Sequence, residues 1–149
     1  MNNFDRTAAW LKACGKTPGD PADLTVQIGC HIEEFLEFLD CLAIGDPNTQ
    51  SVLSMGRTDL AWVAKKLMSR DTVAIIPPTY REAALDALCD AEVTGNGVAY
   101  LAGFHKSEAD AAVLDSNDAK LVDGKPVLKQ GGKIAKPEGW KPPNLRMFV

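Results

Sequence analysis

The sequence has few of the residues that build the common metal and redox sites. Its two histidines, His31 and His105, lie in no Glu-x-x-His motif, so a di-iron helical bundle is excluded. The four cysteines have neither C-x-x-C nor Cys/His spacing, which argues against a zinc site. Three of them fall in apolar helical patterns, so we expect reduced thiols in a cytoplasmic protein. The cysteines are Cys14, Cys30, Cys41 and Cys89.

Long apolar runs and a basic leader are also missing. No apolar run approaches ~20 residues, so no membrane span is expected. The first residues, "MNNFDRTAAW", have no basic stretch before an apolar block, so no secretory signal is expected. No P-loop is present, and "GNG" at 95–97 lacks the preceding strand that a phosphate-binding loop requires. With 149 residues, the chain is predicted to form one globular domain.

Charge is distributed unevenly along the chain. Residues 120–149 carry a net charge of +5, whereas the rest of the chain carries −9. The acidic body argues against a duplex nucleic-acid binder, which needs a basic face. The basic tail fits a solvated surface, a folded lid or a nucleic-acid arm, and the pattern leaves these open.

The body of the chain is predicted to be helical. Gly15 is expected to end the first helix, and Asp20 to cap the second, with Pro21 as its first residue. Thr79 and Glu82 are expected to form a capping box at the start of the fourth. The predicted fold is all-α, with an antiparallel four-helix bundle core and a short fifth helix. Apolar spacing places the helices at about 3–14, 22–44, 49–69, 79–103 and 107–115.

The character of the sequence changes after residue 121. Turn residues surround two short apolar segments, "PVL" and "KIA", which are separated by "KQGG". This pattern predicts a small hairpin followed by an extended, proline-rich arm. We therefore expect a helical catalytic domain over 1–121, with 122–149 as an appendage of the same domain.

The stretch "HIEEFLEFLD", residues 31–40, gathers four carboxylates on one helix face. On a helical wheel, Glu33, Glu34, Glu37 and Asp40 fall within about 120°, opposite an apolar side. Such a stripe is typical of any solvent-facing helix. However, like charges three and four residues apart repel, and no lysine or arginine lies within reach on this helix.

The fourth helix repeats this feature in "LDALCD". Asp86 and Asp90 lie one turn apart, and the small residues Ala83, Ala87 and Gly97 lie beside them. Neighbouring helices of a bundle can bring the two acidic faces together, and the carboxylates then require a divalent cation. Because the donors are all oxygens, Mg²⁺ is predicted, with Mn²⁺ as a substitute. His31 lies on the apolar side, as a packed or pocket residue and not a metal ligand.

Glu33-Glu34-x-x-Glu37, followed about 50 residues later by an acidic pair ending in Asp90, resembles the EExxE…ExxD signature of the all-α NTP pyrophosphatases, the MazG-like superfamily. Three blocks are closest to its phosphoribosyl-ATP pyrophosphohydrolase-like phage and integron branch, and they cover about three quarters of the chain. The blocks are "QIGCHIEEFLEFLD", "LDALCDAEVTGNGVAYLAGF" and "SNDAKLVDGKPVLKQGGKIAKPEGWKPPNL".

The resemblance implies Mg²⁺-dependent hydrolysis of a (d)NTP between the α and β phosphates, which yields a (d)NMP and pyrophosphate. This is a nucleotide-pool house-cleaning activity, carried out by a homodimer or a dimer of dimers. Carried over by position, Glu34 and Glu37 match the metal ligands of the first motif, and Asp90 matches the terminal aspartate of the second. Glu33 matches either a ligand or the base that activates water, so Glu33 and Glu34 are the catalytic candidates.

The second motif departs from the family pattern. Ala87 stands three residues before Asp90, where the family has an acid, and Asp86 lies one position earlier. Asp86 can still face Asp90, although with a shorter side chain than glutamate. The departure keeps open a non-catalytic nucleotide-binding or helical interaction module, and the basic tail keeps open a nucleic-acid accessory protein.

Substrate contacts are expected from the "SNDAK" block and from an aromatic residue. Asn117 and Lys120 are the candidates for the outer phosphates, and His31 for a further substrate contact. Additional cations on the third helix are Arg57, Lys65 and Lys66. The residue that stacks on the base is left open among Trp10, His31, Phe104 and Trp140.

The third helix also carries a broad apolar surface for one small bundle to cover. We expect this surface to support self-association, although a wholly intramolecular core is the alternative. Its members are Met55, Leu60, Trp62, Val63, Leu67 and Met68.

Overall fold

The computed structural model describes residues 1–128 and 134–149. The all-α class is confirmed, since helices dominate this part of the chain and one two-stranded sheet accompanies them. None of the helices in it combines the length and apolar character needed to cross a membrane. The helices are α1 (Asn3–Ala13), α2 (Pro21–Asp40), α3 (Pro47–Met68), α4 (Arg81–Leu101) and α5 (Lys106–Asp118).

The chain divides into two units, and each is described by itself. The α2–α3 unit is Thr17–Pro77, and the α4–α5 unit combines Met1–Lys16 with Pro78–Val149. The boundary predicted at residue 121 lies inside the α4–α5 unit, at the start of the strand β1 (Leu121–Val122).

Both helices of the α2–α3 unit begin with an aspartate cap followed by proline. The Asp20 side chain accepts a hydrogen bond from the Asp23 N–H at 2.8 Å, and Pro21 is the first helical residue, as predicted. Asp46 accepts from the Thr49 N–H at 2.8 Å in the same way at the start of α3. These caps satisfy N–H groups that have no partner within the helix.

The helices α2 and α3 approach closely at Gly29. A methyl group on Gly29 would lie 2.8 Å from Met68 Cγ and 3.0 Å from the Ala64 carbonyl oxygen. The buried Thr25 hydroxyl accepts from the Ala74 N–H at 3.1 Å and donates to the Pro21 carbonyl at 2.6 Å. These hydrogen bonds hold the segment after α3 against the N-terminal part of α2.

In the α4–α5 unit, α1 is held to the C-terminal half of α5. Arg6 forms ion pairs with Asp115 at 2.8 Å and with Asp118. The indole N–H of Trp10 donates to the Asn117 carbonyl at 2.9 Å. Gly15, with a φ of +75°, follows the end of α1 as predicted.

The predicted capping box of the fourth helix is wrong. Thr79 lies inside a single 3₁₀ turn, Pro78–Tyr80, and α4 begins at Arg81 without a side-chain cap. A capping residue needs an extended backbone, which a position inside this turn does not provide.

The predicted hairpin is present, and a second one precedes it. Leu128 pairs antiparallel with Ile134, and the Ala135 N–H donates to the Val127 carbonyl, while residues 129–133 lie outside the described residues. Upstream, β1 pairs with β2 (Lys125–Pro126) through Asp123 and Gly124, both with positive φ. Asp-Gly is a favoured two-residue hairpin turn, and the sequence prediction did not use it.

Candidate metal and nucleotide site

The α2 carboxylates lie on the helix that was predicted to carry them. Glu33, Glu34 and Glu37 are all exposed, within a helix that runs unbroken from Pro21 to Asp40. Glu33 and Glu37 form no ion pair with any residue in the described part of the chain. No lysine or arginine of the described residues pairs with these two carboxylates. This is the condition expected of a face that binds a metal ion.

Asp40 differs from these glutamates because a neighbouring helix neutralises it. Arg57 Nη2 lies 2.7 Å from Asp40 Oδ2. Arg57, one of the cations considered for the phosphates, is therefore already paired with an acid. The pair is consistent with Asp40 as a surface acid outside the metal site. Lys66 is also engaged, at 3.0 Å from Asp71, and its hydrogen bond lowers the pKa of the Asp71 carboxyl.

The second carboxylate pair lies on α4. Asp86 and Asp90 are one turn apart and exposed. A methyl group on the neighbouring Gly97 would meet nothing within 4 Å, so this face of the helix is open. Both aspartates therefore present their oxygens to solvent in the α4–α5 unit.

The donor chemistry of these residues fits Mg²⁺, since every candidate ligand is a carboxylate oxygen. The five carboxylates are divided between the two units, three on α2 and two on α4. Within residues 1–128 and 134–149, no three His, Cys, Asp or Glu side chains are grouped closely enough to hold a metal ion. Convergence of the two acidic faces stays a prediction.

The helix α4 exposes nearly all of its large apolar side chains. Ala99 is its one buried residue, whereas Leu101 is 85 % exposed. A helix that is apolar on most sides is normally covered by other protein. Other exposed apolar residues on α4 are Leu85, Leu88, Val93, Val98 and Tyr100.

Similar apolar surface is exposed on α2 and α3. Phe35 and Phe38 are exposed on α2, with ring centroids 6.4 Å apart. On α3, Trp62 and Met55 are exposed, as the predicted association surface requires, whereas Leu67 packs against α2. The sequence analysis placed an association surface on the third helix alone and did not identify the exposed apolar surfaces of α2 and α4.

The two predicted phosphate-binding residues lie together. Lys120 Nζ donates to Asn117 Oδ1 at 2.8 Å at the end of α5. Trp140 and Lys136 join them, with Lys120 Nζ 5.4 Å and Lys136 Nζ 4.5 Å from the centroid of the Trp140 ring. Lys136 was not identified from the sequence, because its contact with Trp140 depends on how the tail folds back on α5.

The aromatic residues considered for base stacking lie in different surroundings. Trp10 is partly buried against α5, and His31 is exposed on α2, so it is not packed within its unit. Phe104, about half exposed, lines an open depression of about 350 Å³ together with Tyr100 and Asn96. Among the four candidate aromatic residues, Phe104 is the one that lines this depression.

Comparisons with protein-family models, with curated proteins and with solved structures find no match to this chain. The resemblance to the all-α NTP pyrophosphatases therefore rests on the three sequence blocks themselves.

Proposed function

We propose that the protein is a Mg²⁺-dependent nucleoside triphosphate pyrophosphohydrolase of the MazG-like type, which works in nucleotide-pool house-cleaning. One observation carries the proposal: two exposed carboxylate groups, Glu33/Glu34/Glu37 and Asp86/Asp90, lie on helices that also expose large apolar surfaces. The groups occupy the positions of the two acidic motifs that the sequence resembles.

The apolar surroundings of the carboxylates favour a metal. On α4, the exposed Val93 lies one turn after Asp90, and Tyr100 and Leu101 continue the same side of the helix about 15 Å further along. When a partner surface covers these apolar residues, the aspartates lose water as well. Removing an unpaired ion from water costs several kcal/mol, so the covered site needs a counter-charge. A divalent cation supplies it.

The proposed site is completed by self-association of the chain. Copies that bury the exposed faces of α2, α3 and α4 against one another form a four-helix bundle core, in a homodimer or a dimer of dimers. Large, apolar interfaces of this kind are typical of obligate homo-oligomers.

Each carboxylate has a role in the proposed reaction. Glu34, Glu37, Asp86 and Asp90 would hold Mg²⁺, which would supply positive charge for the triphosphate and for the attacking water. Glu33 either completes this ligand set or accepts the proton of the attacking water. Attack at the α-phosphorus displaces pyrophosphate and leaves the nucleoside monophosphate.

The test is a pyrophosphate-release assay over the eight common (d)NTPs with Mg²⁺ and Mn²⁺. Wild type is expected to release pyrophosphate, not orthophosphate. Glu37→Gln and Asp90→Asn are each expected to lower kcat about 100-fold or more. Loss of a group that only orients a metal ligand already lowers activity about 10- to 100-fold, and loss of the ligand itself should lower it at least as much. Glu108→Gln, an exposed carboxylate in the first turn of α5, is the matched control and should keep full activity. Full activity in both ligand variants would refute the proposed site.

A second candidate function is a nucleotide-binding module without turnover. Ala87, in place of the acid that the second motif of the family carries, favours this reading. Calorimetry that detects Mg²⁺-dependent nucleotide binding, with no pyrophosphate released over hours, would establish the binding module and reject the enzyme.

A further inference from the structure

Two lysine ammonium groups share one tryptophan ring in the α4–α5 unit. Lys136 Nζ lies 4.5 Å and Lys120 Nζ 5.4 Å from the Trp140 ring centroid. The ring itself is fixed, because its N–H donates to the Ser116 carbonyl at 2.9 Å. The two ammonium groups are therefore within about 10 Å of each other, on one small part of the surface.

The other short cation contacts in the described part of the chain are made to acids. Four cations lie 2.7–3.0 Å from a carboxylate: Arg6, Arg57, Lys66 and Lys106. Lys120 and Lys136 form no such pair with any described residue, although the chain as a whole has more acids than bases. Two lysines without a paired carboxylate among the described residues therefore lie at the same ring.

The pair Lys66–Trp62 on α3 provides the contrast. Lys66 Nζ lies 5.8 Å from the Trp62 ring centroid, yet it also lies 3.0 Å from Asp71. At Trp62 the lysine is accompanied by an acid, whereas at Trp140 it is accompanied by a second lysine. The second arrangement is suited to an anion with more than one charge.

We propose that Lys136 and Lys120, held over Trp140, bind a polyphosphate group. Ammonium groups form strong, charge-assisted hydrogen bonds with phosphate oxygens, and two of them match two neighbouring phosphates. Asn117 accepts from Lys120 through Oδ1, which leaves its amide N–H groups to donate to the same ligand. Trp140 is the platform that positions the lysines, not the residue that stacks on the base.

The identity of the ligand as the β- and γ-phosphates of a nucleoside triphosphate rests on the proposed function. The anion site itself does not, because it involves neither the carboxylates nor a metal ion. The same basic groups would also attract the backbone of a single-stranded nucleic acid, so the experiment includes both.

The experiment follows the indole N–H signals of the full chain by ¹H–¹⁵N NMR, in EDTA, during separate titrations with inorganic pyrophosphate, tripolyphosphate and a single-stranded DNA oligonucleotide. The Trp140 signal, assigned with Trp140→Phe, is expected to shift in a saturable way, while the Trp62 signal stays in place. Lys136→Gln is expected to weaken binding about tenfold, the effect of one charge-assisted hydrogen bond. Lys125→Gln removes the same charge from the exposed part of β2 and is expected to change affinity less than about twofold.

Three results would overturn the anion site. They are the absence of a saturable shift of Trp140, equal weakening by Lys136→Gln and Lys125→Gln, and tighter binding of a single-stranded DNA oligonucleotide with the same lysine dependence. The last would assign the lysines to nucleic acid.

The outcome is distinguishable from a failure of the proposed function. Lysine-dependent polyphosphate binding without pyrophosphate release from any (d)NTP would keep the site and reject the enzyme. Pyrophosphate release with an unchanged KM in Lys136→Gln would keep the enzyme and reject the assignment of this site to the phosphates of its substrate.

Discussion

The α2–α3 pair and the helix α4 have similar lengths but opposite surroundings. Helices α2 and α3, of 20 and 22 residues, meet closely at Gly29 and bury Leu36 and Leu67 between them. Helix α4, of 21 residues, buries Ala99 and begins without a side-chain cap. The α2–α3 pair is stabilised within its own unit, whereas α4 makes few contacts with the described residues of its own unit.

This difference indicates where the chain needs a partner. Most helical stability in proteins comes from packing of an apolar face, not from intrinsic propensity. Helix α4 also contains Gly95 and Gly97, and each glycine in a helix costs about 1 kcal/mol relative to alanine. We infer that α4 is stabilised by association of the chain with itself, which would also cover the surroundings of Asp86 and Asp90.

The largest expected effect is on the oligomeric state, through Leu88→Asp in the middle of α4. Burying a leucine contributes about 1.5–3 kcal/mol in each copy, so the charge should weaken association about 100-fold or more. Light scattering after size-exclusion chromatography is expected to show an oligomer for wild type and a monomer for the variant.

The control is Val122→Asp, which places the same charge on an exposed apolar residue of β1. It should leave the oligomer intact. An unchanged mass for Leu88→Asp would contradict the role given to α4.

The next effect tests the close contact of α2 with α3, through Gly29→Ala and Gly56→Ala. Both changes improve helix propensity, but the first places a methyl group 3.0 Å from a backbone oxygen and the second places one in open space. Gly29→Ala is expected to lower the free energy of unfolding by about 1–3 kcal/mol.

Gly56→Ala is expected to raise the free energy of unfolding by up to about 1 kcal/mol. Urea denaturation measures both. If the two variants were equally stable, the contact at Gly29 would not be as close as described.

A smaller effect distinguishes the two helix starts. Asp20→Ala removes the cap of α2 and is expected to cost about 1 kcal/mol. Thr79→Ala removes a side chain that does not cap α4 and should stay within about 0.5 kcal/mol of wild type. Thermal unfolding of both variants measures the difference in stability. A larger loss of stability in Thr79→Ala than in Asp20→Ala would show that Thr79 does cap α4.

The smallest effect is a pH dependence at the start of α3. The Thr49 hydroxyl and N–H donate to Asp46 and hold its pKa below the ordinary 3.8. A lowered pKa adds stability above 3.8, and that stability is lost as the pH falls through the folded-state value. Thr49→Val should therefore be less stable than wild type at pH 7. Denaturant unfolding from pH 7 to pH 2.5 should show this difference narrowing, and a difference that widens in acid would be inconsistent with it.

Much of the local structure could be predicted from the sequence. The caps of α2 depend on neighbouring residues, Asp20 and Pro21, and the acidic face of α2 follows from spacing alone. The end of α2 was missed by four residues, because the Ile44 N–H bonds to the Gln50 side chain at 3.2 Å as α3 begins. Such contacts between elements leave no periodic signal.

The site was predictable only in its parts. Spacing identified each carboxylate group, and the "SNDAK" block identified Asn117 and Lys120. The contact of Lys136 with Trp140 depends on the path of the tail, which the sequence pattern does not encode. Whether the acidic faces of α2 and α4 meet depends on contacts beyond a single helix, so spacing does not decide it.

The most direct test of the central claim is Mn²⁺ binding to wild type, Glu37→Gln, Asp90→Asn and the double variant, measured by electron paramagnetic resonance. If α2 and α4 hold the same ion, each single change should abolish most binding and the double variant should be little worse than either, since residues that act on one site are not additive. Independent, additive losses, or Mn²⁺ binding unchanged in both single variants, would contradict a shared metal site.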